Sequence, residues 1–547
     1  MIQNVTENLR FMVHEVVGQV EMTLQFLAEP SRGLLEKIKA RDDYVDTLKS
    51  LILDKTYQIL QTSGHLEKKQ VHLLRSMDTI ASNLERIADF LVNLLRQTEH
   101  LSDIRFLNRF DYPLFFEEVL AGLEYIQAAL DKRDVGLAFR ICQVEFRLDK
   151  LYGAHFNTIL TELRGGGHPG DLVTGLMIMH YLERMGDSLL NIGEAIIFAL
   201  VGEKMKIQQY QALAESLSVS GLETPISDVE FESIWGTRSG CRIGVVGEKT
   251  PREKDAARPV LFKHGNLKKL TKEKENIERW EALVTGLPPE VCGFVAGEDG
   301  NGSILLEYLP GCTFQELLIT GHENLMKDAL YLVEETVKLV WRRTRQIEPV
   351  QAGFIKQMRD RREGVYRLHP QFNNNPGQVG QLKLRSFAEL LHSLQNLEKT
   401  LSAPFSVFIH GDFNVNNIIY DSGTERLHFI DLHRSAQSDY VQDVSVFLIS
   451  LFRLPVFESS VRLRLNYAIT DFLEFARKFA ATQDDSTFEP RLALGLARSF
   501  FTSTRFELNR RFAKKMFLRS IYLMDKLAAH QGLVWEDFEL PGEVLIY

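Results

Sequence analysis

Residues 410–431 read HGDFNVNNIIYDSGTERLHFID, a His, polar amides and carboxylates set around one short apolar run. These types at this spacing suit phosphoryl transfer. That reaction asks little covalent chemistry of a protein. One carboxylate must orient the acceptor hydroxyl and take its proton. An amide oxygen and a second carboxylate must hold Mg²⁺ against the phosphates. Asp412 and Asn417 stand at the Asp-x4-Asn spacing that serves as base and metal ligand in a kinase catalytic loop. Asp431 closes the next short strand, RLHFID, and supplies the second carboxylate. His410 and Gly411 are expected to set the conformation of the loop.

Such a loop needs other parts to position a nucleotide, and these stand upstream in order. ESIWGTRSGCRIGVVG reads as strand, turn, strand, with Gly236 and Gly240 letting backbone N–H groups approach phosphates. PVLFKHGN is a strand bearing Lys263, which would bridge the α- and β-phosphates. That lysine needs an acid on the following helix, KEKENIERWEAL. Glu275 is the expected partner, with Glu278 one turn on. SILLEYLPG is a strand leading into a turn, and its backbone from Glu307 to Leu309 would meet the base of the nucleotide. Downstream, residues 495–515 carry Arg498, Arg505, Arg510, Arg511, Lys514 and Lys515. They read as a solvated helix face, with the site of an anionic acceptor as the second reading.

The first 210 residues have helical periodicity almost throughout and contain an internal repeat. NLERIADFLVNLLRQ (83–97) is similar to YLERMGDSLLNIGEA (181–195). Glu85 matches Glu183 and Asp89 matches Asp187. A looser pair sets Asp42 and Asp46 against Glu145 and Asp149. Each repeat of about 100 residues suits a three-helix bundle. Acids at i and i+4 share a helix face, so these eight, with Glu194 and His180 on the same flank, form candidate ligands for hard ions such as Mg, Mn or Fe. Arg96 and Ser82 stand in the first repeat where the second has Glu194 and His180, and Asn93 matches Asn191, so the second repeat is the richer in ligands. The competing reading is ion pairing with Arg86, Arg96 and Arg184.

With 547 residues the chain exceeds one ordinary core. The expected organisation is a helical domain at 1–210 (repeats at about 1–100 and 110–210), a linker at 211–225, and a further domain at 226–547 with lobes at about 226–310 and 311–547. A net charge of −9 gives no basic nucleic-acid footprint. No apolar run is long enough to span a bilayer. The acids in MIQNVTENLRFMVHEVV argue against a signal peptide. Cys142, Cys241, Cys292 and Cys312 lack metal-ligand spacing and read as reduced thiols, so a cytoplasmic location is expected.

ERIAD and ERMGD, with the paired acid-x3-acid steps, resemble the PhoU-like family over about residues 1–205. That resemblance implies tandem three-helix bundles, a link to phosphate-transport regulation through a transport or signalling partner, and carboxylate-held iron or another metal. The ordered parts from 226 onward, HGDFNVNN above all, resemble the aminoglycoside phosphotransferase and choline kinase-like family. The resemblance implies an α+β bilobal protein-kinase-like fold using ATP or GTP with Mg²⁺ to phosphorylate a small-molecule hydroxyl. It implies Asp412 as base, Asn417 and Asp431 as metal ligands, Lys263 on the phosphates, and Asp443 bracing the loop. Leu432-His433 and Ser438-Asp439-Tyr440 depart from the family pattern and leave the acceptor open. A nucleotide-binding adaptor without turnover is the alternative function.

Overall fold

The computed structural model describes residues 2–62, 66–166, 168–202, 207–219, 229–233, 242–248, 259–297, 300–321, 323–373, 378–379, 382–383, 385–454, 456 and 458–546. The N-terminal part is all helical: α1 (Ile2–Ala28), α2 (Arg32–Thr62) and α3 (Lys68–Thr98), then α4 (Tyr112–Asp131), α5 (Val135–Arg164) and α6 (Pro169–Val201). This is the three-helix repeat expected from the internal similarity. Its apolar stripes close on one core. In α3, Leu84, Ile87, Ala88, Leu91 and Leu95 are buried, and in α6, Leu182, Met185, Leu189, Ile192 and Ile196 match them. The third and sixth helices meet where Asn191 donates to Asn83 Oδ1 at 3.2 Å. Gly186 and Gly193 bring α5 and α6 close; a Cβ on Gly186 would stand 3.1 Å from the Cα of Glu145.

Helix α7 (Ile207–Val219) follows. The segment expected to be a linker from 211 is thus helical through Val219, and 220–228 lie outside the described residues. A five-stranded sheet comes next: β1 (Val229–Ser233), β2 (Arg242–Glu248), β3 (Val260–Asn266), β4 (Val291–Ala296) and β5 (Asn301–Glu307) in the order β1-β2-β3-β5-β4. Helix α8 (Leu267–Leu283) leaves directly from β3, its first turn capped by Asn266. By its contacts the chain forms two compact units, residues 1–265 with 292–305, and residues 266–291 with 306–547. Within the first, Leu213 and Leu217 of α7 join Phe262 of β3, Leu305 of β5 and the bundle in one buried cluster. The hydroxyls of Ser216 and Ser303 lie 2.7 Å apart in the same contact.

The second unit is mixed. After β6 (Cys312–Thr313) come α9 (Phe314–Thr320), α10 (Glu323–Thr344) and α11 (Phe354–Leu368), then β7 (Gln378–Val379), β8 (Leu382–Lys383), α12 (Phe387–Ser393) and α13 (Leu397–Thr400). Strands β9 (Val407–Ile409), β10 (Ile418–Asp421), β11 (Arg426–Phe429) and β12 (Ala436–Ser438) make two small antiparallel sheets, β11-β10-β6 and β12-β9. Helices α14 (Val441–Phe452), α15 (Ser459–Thr482), α16 (Phe488–Ser503) and α17 (Arg510–His530) complete it. Phe413, Phe429, Phe447 and Phe472 pack ring on ring beneath the β9–β10 loop, which fixes its floor. An all-helical tandem bundle is thus followed by an α+β arrangement with short sheets beside a helical body.

Candidate active site

His410 ties the loop together. It is wholly buried, and burial holds its pKa below the usual imidazole range, so the ring is neutral. Its Nε2 lies 3.0 Å from the Ile430 carbonyl, which can only accept, so Nε2 carries the proton. Nδ1 then accepts from the Asp412 N–H at 3.3 Å. One imidazole thereby connects the residue expected to be the base to the strand end carrying Asp431. Asp443, at the start of α14, accepts the N–H groups of His410 at 2.7 Å and Gly411 at 2.8 Å. Burial pushes its carboxyl up to about 7 against the pull of these two donors. Gly411 has φ +81°, and a Cβ there would collide with the carbonyl of Arg434, so the turn requires glycine.

Asn417 donates from Nδ2 to the Asp412 carbonyl at 2.9 Å, which leaves its amide oxygen as the end available to a cation. Its own carbonyl accepts from the Ile430 N–H at 3.0 Å. Asp431 takes a left-handed conformation at φ 61°, uncommon for a non-glycine residue. His433 Nδ1 lies 3.1 Å from Asp431 Oδ1. Ligand atoms of Glu273, Asp431 and His433 lie within 4.8 Å of one another.

Glu273 corrects an expectation. Glu275 is exposed, as is Glu278, whereas Glu273 is 2% exposed. Leu270, Glu273, Ile277 and Trp280 form the inward stripe of α8, and Glu275 lies about 200° round the helix from Glu273. The 3-4-3 spacing of that stripe was the available signal. α8 is bolted to the loop after Asp431: Asn276 Nδ2 donates to the carbonyls of Leu432 at 2.7 Å and Ser435 at 3.1 Å, and Trp280 Nε1 donates to Ser435 Oγ at 2.9 Å.

Lys263 lies on β3 and is 4% exposed, so it is not a surface cation. Gly236 and Gly240 lie outside the described residues. Glu307 ends β5, and its N–H already donates to the Glu290 carbonyl at 2.9 Å. Leu309 is buried two residues on.

One departure from the family pattern, Ser438-Asp439-Tyr440, has a structural reason. Asp439 is buried and paired, with Asp485, to Arg491 of α16, and the Tyr440 hydroxyl donates to Asp485 at 2.7 Å. This network anchors the start of α14 and so the position of Asp443. Arg434, which the sequence reading passed over, donates to Asp412 Oδ2 at 2.9 Å. The 495–515 segment is not one helix. It breaks between Ser503 and Arg510, where Asn509 caps α17. Arg510, Arg511, Lys514 and Lys515 are exposed as expected of a solvated face, whereas Arg498 is buried and Arg505 half-buried.

In the helical bundle the acids fall into two groups. On α5 and α6, Glu183 is pushed up to about 7 by burial and by the charges of Asp187 and Asp149. Glu145 is raised by burial, Asp149 and Asp187. Among the described residues Glu145 Oε2 and Glu183 Oε2 are buried without a hydrogen bond, and His180 Nδ1 stands 3.2 Å from the latter. Asp187 pairs with Arg184. Glu194 lies two turns beyond Asp187, and its charge acts on Cys142. On α2 and α3, Asp42 is raised by burial, Asp89 and Asp46. Glu85 pairs with Lys49 at 2.9 Å, while Arg96 donates to Asn93 at 3.2 Å. The competing cation of the first repeat is therefore Lys49 from the facing helix, not Arg96. Among the described residues no three of these acids bring ligand atoms within 4.8 Å of one another.

Comparison with known proteins matches the chain to two families. Residues 9–98 and 114–196 match the PhoU domain, and residues 250–479 match the phosphotransferase enzyme family. A phosphate-specific transport system accessory protein PhoU homolog of Thermotoga maritima is 25% identical over 209 residues, 38% of this chain and 88% of that protein. The crystal structure of PhoU from Pseudomonas aeruginosa covers 37% of this chain and 98% of its own, at 21% identity and a TM-score of 0.33. That of the aminoglycoside phosphotransferase APH(4)-Ia covers 59% and 99%, at 12% identity and a TM-score of 0.38. The chain therefore joins an N-terminal PhoU domain to a C-terminal domain of the phosphotransferase enzyme family.

Proposed function

We propose that the protein transfers the terminal phosphoryl group of Mg-ATP or Mg-GTP to the hydroxyl of a small molecule. The carrying observation is that one buried, neutral His410 joins the Asp412 loop to the strand bearing Asp431. In this reading Asp412 orients the acceptor hydroxyl and takes its proton. Asn417 and Asp431 would hold Mg²⁺, which neutralises charge on the phosphates, and Glu273 stands beside Asp431. Lys263 would contact the α- and β-phosphates. The Glu307 N–H is already used, so contact with the base falls to its carbonyl and to the backbone through Leu309. Gly236 and Gly240 would cover the phosphates.

The PhoU domain would link this activity to phosphate status through a phosphate-transport or signalling partner. Carboxylates of α5 and α6 would hold Fe, Mn or Mg there, with Glu145 Oε2 and Glu183 Oε2 buried and, among the described residues, without a hydrogen bond. A cytoplasmic location suits these roles. Among the described residues no helix is long and apolar enough to cross a membrane. Arg434 favours a second reading, since its pair with Asp412 occupies the proton acceptor: a nucleotide-binding adaptor without turnover. The experiment is to add Mg-nucleotides to the full chain, follow the melting temperature, and screen metabolite pools for acceptor-dependent nucleotide turnover. Concentration-dependent stabilisation with turnover supports the enzyme. Stabilisation without turnover supports the adaptor, and no stabilisation by any Mg-nucleotide removes both.

A further inference from the structure

Four arginines converge on the base from four separate elements. Arg361 lies on α11, Arg434 follows β11, Arg498 lies on α16, and Arg505 lies in the turn after it. Each of Arg361, Arg498 and Arg505 feels the charges of Asp412 and Arg434, and Arg361 acts on the other two. Arg361 stands in a buried stripe, Phe354–Met358–Arg361–Val365, so α11 carries it inward by design of its sequence.

Arg491 provides an internal control. It lies two turns before Arg498 on the same face of α16, and both are almost wholly buried. Burial lowers the pKa of each. For Arg491, Asp439 and Asp485 reverse the effect and raise it. For Arg498, burial and the charge of Arg361 bring it down to about 9. Among the described residues Arg498 forms no ion pair; its Nη2 reaches the Ser445 hydroxyl at 3.4 Å, its guanidinium lies 5.1 Å from the centre of the Phe354 ring, and its Nε is buried without a hydrogen bond. The Nε of Arg505 is likewise buried and unpartnered. A buried guanidinium without an anion is costly, and here several share one place beside the base.

We propose that Arg361, Arg498 and Arg505 bind a phosphate group already present on the acceptor, so that the substrate is a phosphorylated hydroxyl compound rather than a neutral or cationic one. The inference rests on the phosphotransferase reading above. The acceptor hydroxyl oxygen forms the new bond to the γ-phosphorus, the bond from that phosphorus to the β–γ bridging oxygen breaks, and the nucleoside diphosphate leaves. The hydroxyl proton passes to Asp412. The acceptor's phosphate also offers Arg434 another partner, freeing Asp412 Oδ2.

The test uses the full chain with Mg-ATP and three phosphate esters, ribose 5-phosphate, glycerol 3-phosphate and glucose 6-phosphate, beside ribose, glycerol, glucose, choline and inorganic phosphate. Binding is read by calorimetry without nucleotide, and transfer by ADP release. At least one ester should bind and be turned over, and its unphosphorylated parent should not. Arg505→Met should raise KM for the ester about 10–100-fold, the loss of one charged hydrogen bond, with KM for Mg-ATP unchanged. Arg498→Met should do the same, and Arg505→Met carries the test if the buried substitution prevents folding. Turnover of neutral or choline-like acceptors with no response to either variant overturns the proposal. So does binding of inorganic phosphate but of no ester, which would make this a free-phosphate site. Ester binding that Arg505→Met abolishes, without turnover of any compound, supports the anion site and sinks the transfer reading instead.

Discussion

Asp412→Asn keeps the shape of the catalytic loop and removes its proton acceptor. Turnover should fall by about 10²–10⁴-fold, the usual worth of a general base, while Mg-nucleotide binding, read by calorimetry, stays close to wild type. Equal turnover would take Asp412 out of the base role. Glu273→Gln should act differently, weakening Mg-nucleotide binding with turnover at saturation less affected, whereas Glu275→Gln should be silent because that side chain faces solvent. The motif residues were legible because chemistry restricts their types: only a carboxylate can take the proton, and only oxygen donors suit Mg²⁺. Glu273 was passed over in favour of Glu275, although it falls in the stripe of α8 with Leu270, Ile277 and Trp280 that the fold buries. Arg434 and Arg361 could not be read at all. Their meaning comes from what other elements bring to Asp412.

Helices α5 and α6 carry a titration with a definite sign. The Glu183 carboxyl has an ordinary value of 4.5 and sits at about 7 in the fold. Between these values the folded chain holds a proton that the unfolded chain has lost, so stability falls as pH rises through this window. Above about 7 the full penalty is present; below about 4.5 it is gone. Glu183→Gln should therefore raise the melting temperature at pH 8 by about 2–4 °C, the shift that ~1 kcal/mol makes in a domain of this size, and have little effect at pH 4. A scan showing equal gains at both pH values would remove the titration as the cause. The helical period made these elements legible from sequence, as did the repeat. The identity of the ion-pair partners was not, because Lys49 reaches Glu85 from a facing helix while Arg96 turns to its own neighbour Asn93.

Leu213 tests the packing of the whole chain, being fully buried where α7 meets the sheet cluster. Leu213→Ala should cost about 2–4 kcal/mol and lower the first denaturant transition seen by helical circular dichroism. Trp280, Trp341 and Trp535 lie in the second unit and Trp235 in the first, so with Trp235 replaced by Phe tryptophan emission should move much less. Equal shifts in both signals would mean that the units unfold as one. The two-domain composition was legible from the change of periodicity, but the grouping of the sheet with the bundle was not, since strand periodicity says nothing about which neighbour covers a face. The first unit takes its chain from 1–265 and again from 292–305, with α8 spent in the second. That interruption matters during synthesis. Domains fold as they leave the ribosome, N-terminal first, at about 5–20 residues per second of translation. The six-helix bundle can close early and α7 can already cover Phe262, but the edge of β3 that pairs with β5 stays open until β5 has been made and has cleared the exit tunnel. Rare codons between α8 and β5 would lengthen that interval, and a chaperone that holds apolar strands would meet this nascent chain there.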